Sequence, residues 1–210
     1  MTEPVSSSLP ICRDLIQSIV AAVDARDVYT AHHSDRVAAM AVVLARVLHL
    51  SEDDTTTVQV AAFAHDIGKI SMSDAVLRKA GPLTDAEWEE MRRCPVTGYD
   101  ILRKVPQFQR VALIVRHHHE RWDGKGYPDG LKGDEIPIAA QVVSVADVYD
   151  ALTSVRVYKD AIPHEEAIQM ILDGKCGTFN PLLLDCLLEV QDQIAETLAR
   201  PADVVAFPTI

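Results

Sequence analysis

Six of the eight histidines in this 210-residue chain fall in three places: His32 and His33, then His65, then the run His117, His118 and His119. Two acids stand among apolar neighbours. Asp66 directly follows His65 in AAFAHD, and Asp147 interrupts the run VVSVADVYDAL. His33 precedes Val37 by four residues and Met40 by seven, so it continues the apolar stripe of its helix. A histidine or carboxylate aimed at a core needs a partner there, because desolvating it alone is costly. Imidazole and carboxylate groups carried inward by four separate helices suit a divalent transition metal. The cysteines at 12, 94, 176 and 186 form no CxxC pair, so a closed structural zinc site fits poorly. A carboxylate flanked by several histidines can bridge two metals, and a pair about 3.5–4 Å apart is the usual engine of phosphoester cleavage. Lys69 follows Asp66 by three residues and shares its face if the helix continues, which suggests a contact to phosphate.

Each element has a plainer alternative when taken alone. His33 fits a hydrogen-bonded core histidine, and His65-Asp66 a pair at a helix C-terminus. The HHH run fits a solvated helix end, and Asp147 a salt-bridged carboxylate. The metal reading rests on all four inward positions occurring in one short chain.

The elements that must hold these groups are helical nearly throughout. Residues 11–24 place Leu15, Ile19 and Ala22 at helical spacing, and 34–50 place Val37, Met40, Leu44 and Val47 on one face. Ser51 reads as the N-cap of a third helix running into AAFAHDIGKI. Thr84 and Glu87 form a T-x-x-E capping box opening TDAEWEEMRR. Pro95 interrupts, and further helices are expected over 96–104 and 108–118. Asn180 followed by Pro181 opens a helix to about residue 199. Residues 122–137 (WDGKGYPDGLKGDEIP) form a long glycine- and proline-rich loop, a type that is disproportionately functional. No alternating strand is visible.

Composition narrows the rest. Lys and Arg total 20 against 31 Asp and Glu, a net charge of −11, which argues against a non-specific grip on a nucleic-acid polymer. The 48% hydrophobic fraction is that of a folded domain. No apolar run reaches the roughly 18 residues of a membrane span, and the N-terminus lacks a secretory signal, so a cytoplasmic protein with reduced thiols is expected. The first 25 residues are too few for a sensor domain.

The motifs resemble the HD-GYP phosphodiesterases, a branch of the HD superfamily of metal-dependent phosphohydrolases. The resemblance rests on DVYTAHHSDRV (27–37), AHDIGKI (64–70), LRKAGPLTDAEWEEM (77–91), HHHERWDGKGYPDGLKGDEIP (117–137) and VADVYDALTSVRVYK (145–159). It implies an all-α HD-type helical bundle with a long glycine-rich GYP loop. A helical lead-in would cover 1–25, the HD-GYP domain 26–200 and a tail 201–210. It also implies two divalent metals, iron or manganese, and hydrolysis of cyclic di-GMP to pGpG, in many members on to GMP, by a two-metal-activated water. By position, the ligands would be His33, His65, Asp66, His118, His119 and Asp147, with Asp66 bridging. Lys69, Arg156 and Lys159 match positions that contact substrate phosphates. Gly126, Tyr127 and Pro128 would shape the pocket and meet a partner such as a diguanylate cyclase domain. A homodimer is compatible with this picture.

Two positions depart from the family pattern. The M-x-x-H-P-x-x-G segment reads MRRCPVTG here, so Cys94 replaces a histidine. Its thiolate could ligate and favour softer metals, or the thiol stays unligated and leaves one metal weakly held. Iron or manganese gains little from one thiolate, so the second outcome is expected. Tyr29 stands where some members carry a third-metal glutamate, so two metals at most are expected. Two alternatives therefore accompany the phosphodiesterase reading. One is a degenerate module that binds cyclic di-GMP or a cyclase partner without turnover. The other is an HD phosphohydrolase acting on another nucleotide.

Overall fold

Helices begin where a side chain can satisfy a free amide, and the caps legible in the sequence form. The Ser51 hydroxyl accepts from Asp54 N at 3.1 Å, Thr84 and Glu87 make the reciprocal capping box, and Asn180 Oδ1 accepts from Leu182 N at 3.0 Å. A computed structural model describes residues 9–26, 32–155 and 160–199. Its helices are α1 (Leu9–Asp24), α2 (His33–Val47), α3 (Glu52–Ala64), α4 (Asp74–Leu77), α5 (Asp85–Arg92), α6 (Cys94–Leu102), α7 (Gln109–His117), α8 (Ile138–Thr153), α9 (His164–Leu172) and α10 (Pro181–Ala199). No strand occurs among the described residues, so the fold is the expected all-α one. None of these helices is long and apolar enough to cross a membrane.

The core is built around α2, which packs against α3, α8 and α10, while α3 also packs on α7. Val37, Met40 and Leu44 of α2 are fully buried. Alanines fill the seams, with Ala38, Ala41, Ala61, Ala62, Ala64, Ala140 and Ala146 wholly covered. Small side chains let these backbones approach, so groups projecting from different helices can meet at one point.

Four local expectations change. Helix α1 buries Ile16, Val20 and Val23, while Leu15 and Ile19 on the anticipated face stay 56% and 37% exposed. Both faces have helical spacing, and only the packing of α1 on α3 and on the turn after it selects one. Helix α2 stops at Val47 rather than 50. His49 adopts φ 54°, its N–H donates to Arg46 O at 2.9 Å, and Leu50 N donates to Ala45 O at 3.0 Å. This is a Schellman end with histidine where glycine is usual, which hid it from the sequence. Pro95 opens α6 rather than interrupting a helix, since its missing N–H falls in the first turn where no intrahelical partner exists. Finally, α3 ends at Ala64, and Ile67–Ser71 forms a tighter 3₁₀ turn. Gly68 is required there, because a Cβ would lie 1.9 Å from Cys94 O.

The loop over 122–137 is ordered by one buried carboxylate. Glu120 Oε1 accepts from Asp129 N at 2.7 Å and Gly130 N at 3.0 Å, and Oε2 from Leu131 N at 3.1 Å. Arg116 holds Asp129 with two bonds of 2.7 Å, and Tyr127 N donates to His119 O at 3.2 Å. Gly126 lies so close to the Glu120 backbone that a Cβ would sit 2.4 Å from its Cα. The loop is thus folded back onto the end of α7, and Tyr127 is carried beside His119. Replacing Glu120 by alanine strands three amides. We expect Glu120→Ala to lower the unfolding free energy by about 2–3 kcal/mol in urea titration. Hydrogen exchange at residues 129–131 should accelerate while the α2 amides keep their protection.

Candidate metal centre

Three histidines from three helical segments turn the same nitrogen toward one point. His65, just after α3, has Nδ1 2.7 Å from Ala62 O. His118, just after α7, has Nδ1 2.7 Å from Val115 O. A carbonyl only accepts, so both Nδ1 atoms carry a proton, and in the neutral ring Nε2 is the nitrogen left to act as a ligand. His33, at the start of α2, has Nδ1 2.6 Å from Asp150 Oδ2. Arg36 grips the same carboxylate from Nε at 2.5 Å and Nη2 at 3.1 Å. Burial opposes ionisation of Asp150, yet the bonds from His33 and Arg36 hold its carboxyl down to about 2. Its negative charge therefore fixes the orientation of the His33 ring.

The Nε2 atoms then confront one another. His33 Nε2 lies 3.2 Å from His65 Nε2, within hydrogen-bond distance, so a proton or a cation has to stand between them. Burial works against a charge on His33, but the bond to Asp150 and the fields of Asp147 and Asp66 raise its pKa overall. His118 Nε2 is buried and has no partner. A buried bare imidazole nitrogen without a donor is costly for a folded chain, and a bound cation among these donors would satisfy it.

Two carboxylates complete the cluster. Asp66 Oδ2 lies 3.4 Å from His65 Nε2 and 3.8 Å from His33 Nε2. Asp147 Oδ1, from α8, lies 3.4 Å from His33 Nε2 and 3.8 Å from His65 Nε2. Two sets of ligand atoms sit close enough to share an ion: His33, His65 and Asp66, and His65, His118 and Asp147. The mixed nitrogen and oxygen groups suit a divalent transition metal. Burial raises the cost of charge on Asp66, but Lys69, His65 and His33 hold its carboxyl well below the usual carboxylate range. Lys69 Nζ is 2.7 Å from Asp66 Oδ2. The 3₁₀ turn explains this contact, since residues three apart eclipse there.

His119 and Cys94 fall outside both close sets. The His119 ring stacks on His118 with centroids 3.9 Å apart and on Tyr127 at 4.9 Å. Burial lowers the pKa of both His118 and His119, which keeps them neutral with a lone pair to offer. Cys94 is buried against Met72 and Val76, and burial pushes its thiol up to about 12. Arg156 and Lys159 lie outside the described residues.

Three residues that serve this centre were not singled out in the sequence. Asp150 follows Asp147 by three residues in DVYD, so one face of α8 carries both acids. Arg36 sits on the turn after His33. Asp24, at the end of α1, has its carboxyl raised by burial and by the charge of Asp66, which brings a further acid near the cluster. Arg26 fixes that end of α1 through bonds to Ile70 O at 2.9 Å and Met72 O at 2.8 Å.

Known proteins share both the sequence pattern and the fold. The family model described as HD domain matches residues 11–181. The chain is 38% identical over 200 residues to the cyclic di-GMP phosphodiesterase response regulator RpfG of Xanthomonas campestris, covering 94% of this chain and 53% of that protein. It is also 38% identical over 182 residues to the 3'3'-cGAMP-specific phosphodiesterase 3 of Vibrio cholerae, covering 85% of this chain and 40% of that one. The chain thus spans about half the length of the curated relatives it matches. A solved structure of a cyclic GMP-AMP specific phosphodiesterase from V. cholerae superposes with a TM-score of 0.65 at 19% identity, over 89% of this chain and 53% of that one, a likeness of fold. The family match over most of the sequence, joined to the ordered motifs AHHSDR, AHDIGK, HHHERWDGKGYP and VADVYD, places this chain in the HD domain family, in its HD-GYP branch.

Proposed function

We propose that this chain is a metal-dependent phosphodiesterase that hydrolyses cyclic di-GMP to pGpG and on to GMP, using two divalent cations, iron or manganese. The convergence of three imidazole Nε2 atoms with two carboxylates in a buried space carries the reading. The names of its relatives support a cyclic dinucleotide as substrate.

In this reading His33, His65, Asp66, His118, His119 and Asp147 would hold the two cations, with Asp66 the carboxylate common to both. Bound divalent cations lower the pKa of a water into the neutral range and offset charge growing on the phosphoryl oxygens. The chain's own residues supply the remainder. Asp150 and Arg36 keep the His33 ring aimed, as carboxylate partners of ligating histidines do. Lys69, beside Asp66, meets a non-bridging phosphate oxygen, and Arg156 and Lys159 match positions of the family that contact substrate phosphates. Neutral His118 and His119 keep their lone pairs for the cation at working pH.

Cys94 favours a second reading. A thiol held neutral by burial is a poor ligand, so one cation has a donor fewer than a histidine would provide. A module that binds without turnover then follows. Metal analysis after anaerobic purification, with chromatography of the products from cyclic di-GMP, separates the two. Close to two metals per chain with pGpG or GMP appearing supports the enzyme. Under one metal and no product after manganese or iron supplementation supports the binder.

Three substitutions test the assignments. Asp66→Ala should remove both metals and all turnover together, and full retention of either would refute the shared carboxylate. Asp150→Asn should weaken metal affinity about 10–100-fold with little change in helical content, read by competition with a chromogenic chelator. Cys94→His should raise metal content towards two per chain, whereas unchanged content would mean that position 94 does not reach the centre.

A further inference from the structure

Helix α5 buries none of its residues. Its stripe at i, i+3, i+4 and i+7, made of Asp85, Trp88, Glu89 and Arg92, faces the glycine-rich loop instead of the core. Between them lies an open cavity of about 400 Å³, lined also by His119, Arg121, Lys125 and Tyr127. That volume falls in the range of small-molecule sites, roughly 300–1,000 Å³. Trp88 is 44% exposed, so its indole face is open to a ligand in the cavity. The stacked rings of His118, His119 and Tyr127 run from the cluster to this cavity, so a ligand seated here abuts the metal centre.

Resting on the phosphodiesterase reading above, we infer that this cavity takes one guanine base of the cyclic dinucleotide, stacked on Trp88, and that Asp85 and Arg92 read its identity. The indole offers a flat, sequence-tolerant face for any base. Selectivity comes from the polar groups around it. Guanine presents N1–H and N2–H donors on one edge and O6 and N7 acceptors on the other. The carboxylate of Asp85 accepts from the first edge, and the Arg92 guanidinium donates to the second. Glu89 Oε1 holds Arg92 Nη1 at 2.8 Å, which orients the fork. Adenine offers an acceptor where guanine has N1–H, so a carboxylate there rejects it. Lys125 at the rim faces the phosphate side. Relatives named for cyclic di-GMP and for 3'3'-cGAMP share the fold, so base choice must lie in side chains such as these.

The full chain carrying Trp122→Phe keeps Trp88 as its single indole. GMP should quench its emission, and AMP should need at least about tenfold more ligand. Asp85→Asn should bring the two within about threefold. Trp88→Leu should raise KM for cyclic di-GMP about tenfold or more, with Trp88→Phe recovering most of the loss. Because Trp88 and Asp85 are exposed and are given contacts with the base alone, kcat/KM for the base-free diester bis(p-nitrophenyl) phosphate should be unchanged in the Trp88 and Asp85 variants. Equal quenching by GMP and AMP, or an unchanged KM in Trp88→Leu, overturns the pocket and leaves the reaction standing. Selective quenching by GMP with no hydrolysis of any cyclic dinucleotide overturns the reaction and leaves the pocket standing.

Discussion

Two imidazole nitrogens 3.2 Å apart inside a closed core need a proton or a cation between them, and the surrounding structure answers to that need. The Nδ1 protons of His65 and His118 are committed to carbonyl oxygens, and that of His33 faces the Asp150 carboxylate. The Nε2 atoms are thereby turned toward one another. Positive charge is the common requirement of everything nearby. Lys69 supplies some of it from outside, and a bound cation would supply the rest at the centre itself.

That requirement explains features that packing would not select. A buried Asp150 gripped by Arg36 is expensive unless it fixes something, and what it fixes is the ring of His33. The 3₁₀ turn after α3 is a poorer helix than the α-helix it replaces, but it eclipses Lys69 with Asp66. Gly68 lets this turn lie on the Cys94 carbonyl, which ties the turn to α6. The alanine seams between α2, α3 and α8 then bring the four sources of ligand atoms within bonding range of one space.

The glycine-rich loop shows the same economy at the rim. A single acid, Glu120, gathers three successive amides of the loop and so sets where Tyr127 stands. Tyr127 in turn joins the ring stack leading out of the centre and forms one wall of the cavity under α5. Chemistry at the centre and recognition at the rim therefore share one short segment, His117 to Tyr127.

Much of this was legible in the residues. The caps at Ser51, Thr84 and Asn180 act within three residues, so local sequence suffices to read them. His33 could be placed inward because it continues the periodicity of Val37 and Met40, and the HD and HHE runs marked where groups of that chemistry cluster. Other features depend on contacts between distant segments. Leu15 and Ile19 have the same helical spacing as Ile16 and Val20, and only the neighbours of α1 decide which pair is covered. The His49 turn carries no glycine to announce it. Asp150, Arg36 and Glu120 look like ordinary polar residues until the fold brings each to its partner, 117 residues away for His33 and Asp150. The sequence by itself determined the all-helical character, the capped helix starts at Ser51, Thr84 and Asn180 and the kind of groups at the centre, because those follow from spacing and residue type. Only the tertiary structure decided which nitrogens face one another, which acids orient them and which face of α5 lines the cavity, because those depend on what lies opposite each side chain in space.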